Sequence, residues 1–267
     1  MTILQLIVQY ALQIAVTVGM ILLTGIVIAA AKRLFLGCCG SGAYYVELIT
    51  GLVGTPIHEL SHAFFCILFG HKITGICLWT PNPQNGNLGY VMHTYKRRNL
   101  WHQIGNFFIG VAPIIGGNAV LLLLLRLLLP DAAGSVFSVT FTPPQDPSAL
   151  PSLFLSAALT VLKALFVPSN FLSFHWYLYL FFAVLIVLHM EVSRSDIRAG
   201  LWGLGFIALL WLLADLALFF LYPAGLFAVT DVAVSIGALL SVFLCLAVIL
   251  AGLLLVVSLV FRILRRR

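Results

Sequence analysis

The sequence predicts an all-α polytopic membrane protein of about six transmembrane helices, with one small β-hairpin inserted after the helix that carries an HExxH motif. Three observations carry this expectation. Hydrophobic residues make up 62% of the 267 residues and charged residues 8%, with a mean hydropathy of +1.13, a balance that a soluble domain of this length does not keep in solution. The apolar residues fall into stretches of about 20 or more, the length that crosses the hydrocarbon core as a helix. One linker holds two β-prone runs on either side of a turn cluster. No internal repeat is visible, so residues 1–267 read as a single membrane-embedded domain.

The first span runs from about Ile3 to Ala31. It lacks a basic leading segment and is long enough to cross, so it does not read as a cleavable signal. The second runs from about Tyr45 to Phe69, the third from Ile104 to Leu129, the fourth from Phe171 to His189, the fifth from Ile197 to Tyr222 and the last from Val232 to Leu264. Leu153 to Val167 is apolar but short and ends at Pro168, which predicts an interfacial or re-entrant helix leading into the fourth span. Pro130 to Pro151, with Phe141 to Pro147 inside it, is expected to be an irregular connector. Between His71 and Leu100, the runs Ile73–Trp79 and Leu88–Met92 flank the turn cluster Thr80–Asn87, the pattern of a hairpin with a longer loop.

The net charge of +6 is not gathered into a stripe. Basic residues stand at segment ends, so a lipid bilayer rather than a nucleic acid is the expected partner. Lys72, Lys96, Arg97 and Arg98 lie between spans two and three, Arg194 and Arg198 between four and five, and Arg262, Arg265, Arg266 and Arg267 close span six. All fall on one side, the cytoplasm, with both termini there too. Lys32-Arg33 falls on the other side and is the exception. Trp79, Trp101 and Trp176 suit an aromatic belt, and His93, His102, His175, His189 and Glu191 sit near span ends, where an interfacial role is expected. The five cysteines show no CxxC spacing; Cys66 and Cys245 read as small structural hydrophobes, while Cys38-Cys39 leaves a lipidation or redox role open.

Span two contains His58-Glu59-Leu60-Ser61-His62. Histidines at i and i+4 share one helical face and can grip one zinc ion, and the glutamate between them can serve as the base for a metal-activated water. With 7 His and 3 Glu in the chain, chance would supply this pattern about 0.002 times. A pair of packed histidines is the competing account, and the intervening Glu59 weighs against it. The motif lies in a membrane span, which excludes a soluble zincin.

Gly54-Thr55-Pro56-Ile57-His58-Glu59-Leu60-Ser61-His62-Ala63, followed by Gly70-His71-Lys72 where the chain leaves the helix, resembles the HExxH helix of site-2 proteases, the intramembrane zinc metallopeptidases. The resemblance extends to Gly89-Tyr90-Val91 in the hairpin and to Ala112-Pro113-Ile114-Ile115-Gly116-Gly117-Asn118 in span three, similar to the family's Gly-Pro-x-x-Asn but with Ala for Gly and two extra residues. It covers about Gly51 to Leu125. It implies a zinc-dependent intramembrane endopeptidase acting on a membrane-protein or peptide substrate, with His58 and His62 as ligands and Glu59 as the catalytic base.

A hydrolytic zinc site takes three protein ligands and keeps one position open. In the family the third ligand is an aspartate in a Leu-Asp-Gly segment, which this chain lacks; Ser193 to Gly200 is the nearest counterpart and makes Asp196 the candidate. Asp196 reads equally as an N-terminal helix cap. The HExxH lies roughly 15 Å into the membrane at about 1.5 Å per residue from Gly70, so Asp196 has to dip inward to reach it. Asp215 is the rival, but it is roughly 28 Å further along the same helix, so the two cannot share one metal. Asn118 is a candidate for the substrate backbone or a developing oxyanion, or else bonds a neighbouring helix. Gly105, Gly116 and Gly117 are expected to permit close helix approach. The alternative function is a non-proteolytic metal-binding scaffold, or a transporter using the histidines as a relay.

Overall fold

A computed structural model describes residues 2–81, 87–137 and 150–264. The expected hairpin turn at 82–86, the Phe141–Pro147 segment and the Arg265–Arg267 cluster lie outside the described residues. In a medium without water every backbone N–H and C=O needs an internal partner, and the described chain answers with helices. These are α1 (Ile3–Ile14), α2 (Met20–Cys39), α3 (Ala43–Leu68), α4 (Leu100–Leu128), α5 (Pro130–Phe137), α6 (Leu150–Leu165), α7 (Phe174–Val187), α8 (Arg194–Leu221) and α9 (Pro223–Leu264). A π-helical turn, Ala15–Gly19, joins α1 to α2, and a 3-10 turn at Gly40–Gly42, with Gly40 at φ 58°, joins α2 to α3. Five helical runs are long and apolar enough to cross a membrane, the first of them continuous from Ile3 to Leu68.

The expected architecture of long helices and one small hairpin is present. β1 (Lys72–Cys77) pairs antiparallel with β2 (Tyr90–Thr94), with a register shift between Ile73 and Gly75. Along both strands exposed and half-buried residues alternate, so one hairpin face turns to the helices.

Three elements differ from expectation. Pro130–Phe137 is a helix rather than irregular chain; proline pre-sets φ for a first helical turn, and Asp131 follows in that turn, where a carboxylate complements the helix dipole. Leu153–Val167 is centred on α6, which is short and ends before Pro168 as expected, but with the 3-10 turn Pro168–Leu172 it makes an apolar run, Leu155–Leu172, long enough for a crossing. The expected fourth span is the 14-residue α7, about 21 Å long at 1.5 Å per residue and short of a full crossing. After it the chain runs non-helically through residues 188–193 before α8 starts. Trp176, expected in an aromatic belt, is 6% exposed and donates its indole N–H to the Leu165 carbonyl at 2.8 Å.

α4 is the central helix and packs on α3, α7, α8 and α9. Its glycines set how closely they come. Gly116 faces Ser61 of α3 and Gly105 faces Phe69. The decisive contact is Gly110. A Cβ there would meet the Asp196 carbonyl oxygen at 2.8 Å and the Gly200 Cα at 3.0 Å. Backbone therefore touches backbone, and the first turn of α8 is seated ten residues into α4, about 15 Å from its start. The start of α4 is level with the end of α3, since the Trp101 indole N–H donates to the Leu68 carbonyl at 3.2 Å.

Gly110→Val is expected to lower the midpoint of thermal unfolding in detergent, by overpacking worth about 1–3 kcal/mol. An unchanged midpoint would show that α8 can back away from α4 at little cost.

Candidate metal centre

The HExxH segment occupies the fifth and sixth turns of α3, so its two histidines project from one face. His58 Nδ1 lies 2.7 Å from the carbonyl oxygen of His189, and His62 Nδ1 lies 2.8 Å from that of Ile109. A carbonyl only accepts, so each Nδ1 carries the hydrogen and each neutral ring presents a bare Nε2. Those two Nε2 atoms face each other at 3.1 Å. Asp196 Oδ2 stands 3.6 Å from His62 Nε2.

Three acceptor atoms thus converge with no donor among them. A proton on His62 Nε2 would serve the contacts on that nitrogen; a metal cation would be accepted by all three atoms. The spacing also fits. A tetrahedral ion bound through N and O at about 2.0–2.1 Å keeps its ligand atoms about 3.3 Å apart, between the two distances observed. His58, His62 and Asp196 form a group whose ligand atoms lie within 4.8 Å of one another and could hold a metal ion. The Nδ1–carbonyl bonds supply the outer support that metal-bound histidines ordinarily have, fixing tautomer and ring orientation.

Asp196 reaches this depth because α8 begins there. The alternatives posed by the sequence, ligand or cap, turn out to be compatible. Ser193 and Asp196 form a capping box: Ser193 Oγ accepts from the Asp196 N–H at 3.2 Å, and the Ser193 N–H donates to Asp196 Oδ2 at 3.1 Å. The Ser193 hydroxyl also donates to the same oxygen. The cap holds the carboxylate in the direction of His62.

A cleft of about 500 Å³ opens onto the group. Glu59, 6% exposed, lines it beside His58, His62 and Asp196, and the β2 residues Tyr90, Val91 and His93 form a further wall. Gly89, leading into β2, lies over the motif; a Cβ there would meet Glu59 Cγ at 2.9 Å and Thr55 Cγ2 at 2.8 Å. The glycine lets the hairpin backbone approach the HExxH helix.

Two groups have roles that residue type did not reveal. His189, expected at an interface, is 8% exposed; its ring lies 3.0 Å from Thr50 Oγ1 and 3.3 Å from Thr55 Oγ1, and its carbonyl orients His58. Lys32, the exception to the charge pattern, is buried and paired with Glu47 at 2.8 Å and Glu191 at 2.6 Å. Its charge is matched locally, so it says little about which side its span end faces.

Two candidates stand apart from the cleft. Asn118 is fully buried and donates through Nδ2 to the Phe243 carbonyl of α9. It is not among the cleft-lining residues, and the interhelical bond is the reading the geometry favours over substrate contact. Asp215, also fully buried, belongs to none of the possible metal groups among the described residues. Compared with protein-family models, curated proteins and solved structures, the chain finds no match.

Metal analysis of the purified protein is expected to separate the two aspartates. Asp196→Asn keeps a side chain able to cap α8 but should weaken metal binding by more than about 100-fold, beyond the loss usual for an outer-shell partner. Asp215→Asn should retain the wild-type metal content. Metal lost from Asp215→Asn and kept by Asp196→Asn would refute the assignment.

Proposed function

We propose that this chain is a zinc-dependent intramembrane endopeptidase that hydrolyses a peptide bond in or near a transmembrane segment of a membrane-protein substrate. The observation that carries the reading is the convergence of two bare Nε2 atoms and one carboxylate oxygen on a cleft that Glu59 also lines. Two imidazoles and a carboxylate, with the cleft beside them for a fourth position, match the donor set of hydrolytic zinc sites. The resemblance of the HExxH helix, the hairpin glycine and the Pro113–Asn118 element to site-2 proteases points the same way. The five long apolar runs support a membrane setting for this chemistry, and the distribution of Lys and Arg favours a cytoplasmic position for both ends.

His58, His62 and Asp196 would hold the ion. Zinc supplies a Lewis acid that makes water nucleophilic near neutral pH and polarises a carbonyl. Glu59 accepts the proton of the attacking water on its carboxylate and passes it to the departing amine nitrogen, so that the amine leaves neutral. The His189 and Ile109 carbonyls keep both histidines in the tautomer that leaves Nε2 free. The Ser193 cap keeps Asp196 from swinging away. A substrate helix has to unwind locally, because helical hydrogen bonds shield its carbonyls. An extended substrate strand laid along β2 would be held by main-chain bonds while its scissile bond lies over the metal group.

Glu59→Gln is the deciding variant. It should keep the metal, since Glu59 is not a ligand, and should lower the rate of cleavage of a reconstituted transmembrane substrate by about 10²–10⁴-fold, the usual contribution of a general base. Metal retained with no cleavage by the wild type, across a panel of single-span substrates in proteoliposomes, would instead favour the metal-binding scaffold. A second variant, Val91→Pro, removes an N–H from β2 and should slow cleavage without loss of metal; full activity in a folded Val91→Pro protein would rule out strand addition.

A further inference from the structure

One turn beyond His62, α3 carries a second set of metal-type ligands. Cys66, His71 and His93 bring their ligand atoms within 4.8 Å of one another. Cys66 is fully buried, His71 is 4% exposed and His93 is half-buried. The sequence separates these residues by up to 27 positions, and two local features bring them together. Gly70, at φ +71°, turns the chain back at the end of α3, so that the His71 N–H donates to the Cys66 carbonyl at 2.8 Å. The antiparallel pairing of Lys72 with Thr94 and Ile73 with His93 then returns β2 to the same place.

The cluster is oriented as a ligand set would be. His71 Nε2–H donates to the His102 carbonyl at 3.0 Å, which leaves Nδ1 bare. That Nδ1 faces His93 Nδ1 at 3.0 Å. Tyr95 stacks on the His71 ring, centroids 4.8 Å apart and planes 16° from parallel, and restrains its rotation. One hydrogen bond from His93 to His71 would account for the imidazole pair alone. It gives no account of a buried thiol brought within reach of both rings.

We propose that Cys66, His71 and His93 form a second metal site, of the thiolate–imidazole type that takes a zinc-class divalent ion, and that this ion fastens strand β2 to the end of the HExxH helix. One thiolate and two imidazoles are donors of the kind zinc takes, with a fourth position left for water. The site shares no residue with the His58–His62–Asp196 group, although His93 also lines the same cleft. Its mechanical effect falls on the cleft, because β2 forms one cleft wall. A ligand on α3, one at the turn and one on the hairpin tie three segments whose relative position sets the width of that cleft.

Cobalt(II) is the probe, titrated into the full-length, metal-stripped protein in detergent. The wild type should take up two equivalents and develop a near-ultraviolet thiolate-to-cobalt band. Cys66→Ser should lose that band and one equivalent. The His58→Ala/His62→Ala double variant should lose the other equivalent and keep the band, and in that background cobalt should slow amide hydrogen exchange in Val91–Thr94. Uptake of one equivalent with no thiolate band by the wild type would overturn the proposal, as would a band undiminished in Cys66→Ser. Where Cys66→Ser does not fold, His93→Ala is read in the same way. Loss of no equivalent in the double histidine variant would count against the first site only.

Discussion

The depth at which α8 begins is the constraint from which the rest of the site follows. A helix starting at the membrane face would leave its first-turn carboxylate about 15 Å from the HExxH motif. Here α7 stops after 14 residues, residues 188–193 run non-helically, and α8 starts against Gly110 of α4, which its own Gly200 faces. Non-helical backbone at that depth is tolerated only where its polar groups find partners or line a cavity. Both conditions are met: the His189 carbonyl accepts from His58, the Ser193 N–H donates to Asp196, and Glu191, Ser193 and Ser195 line the cleft. The close approach of α4 and α8 therefore determines where the third acceptor stands, although neither glycine touches it through a side chain.

Orientation of the histidines is a separate matter, and it is assigned to the backbone. Side chains that orient a ligand can change rotamer; a carbonyl in a helix or a packed connector cannot move without moving its element. Ile109 belongs to α4 and His189 to the connector after α7, so the two rings on α3 are each referenced to a different neighbour. Thr50 and Thr55 fix the His189 ring in turn. The geometry of the pair thus reports the packing of three segments at once, which is the kind of support a preformed ligand set needs.

Much of this was legible in the chain, and the exceptions share a cause. The apolar runs, the hairpin and the HExxH face follow from composition, period and spacing, which are local. Asp196 was legible only as a candidate, because a capping aspartate and a ligand aspartate look alike in sequence; that one residue could do both emerges from the capping box pointing toward His62. Asn118 was ambiguous for the same reason, and the contact with Phe243 on α9, 125 residues away, decides it. The carbonyls of His189 and Ile109 carry no signature at all, since any residue has one. Cys66 was read as a small hydrophobe from its apolar neighbours, and its nearness to His93 depends on strand register that spacing alone does not set. The short α7 was hidden because its apolar residues continue past the point where the helix ends.

In a chain with so few polar residues, the way a buried one is matched helps to separate structure from chemistry. Lys32 is matched by Glu47 and Glu191, which come from α3 and the connector after α7. Gln13, beside the π-helical turn, donates to Thr230 of α9 at 2.8 Å. His189 has its two threonines. Each of these sets contains both donors and acceptors and ties helices together, although the Gln13 Oε1 has no partner among the described residues. The group at His58, His62 and Asp196 is of another kind, because its facing atoms are all acceptors and its outward N–H groups are already committed to carbonyls. His62 Nε2 has acceptor atoms facing it at 3.1 and 3.6 Å, an arrangement that packing of neutral side chains alone does not favour. A cation would offset the repulsion among these acceptors, and under the proposed function Glu59, on the same cleft, would be the base beside it.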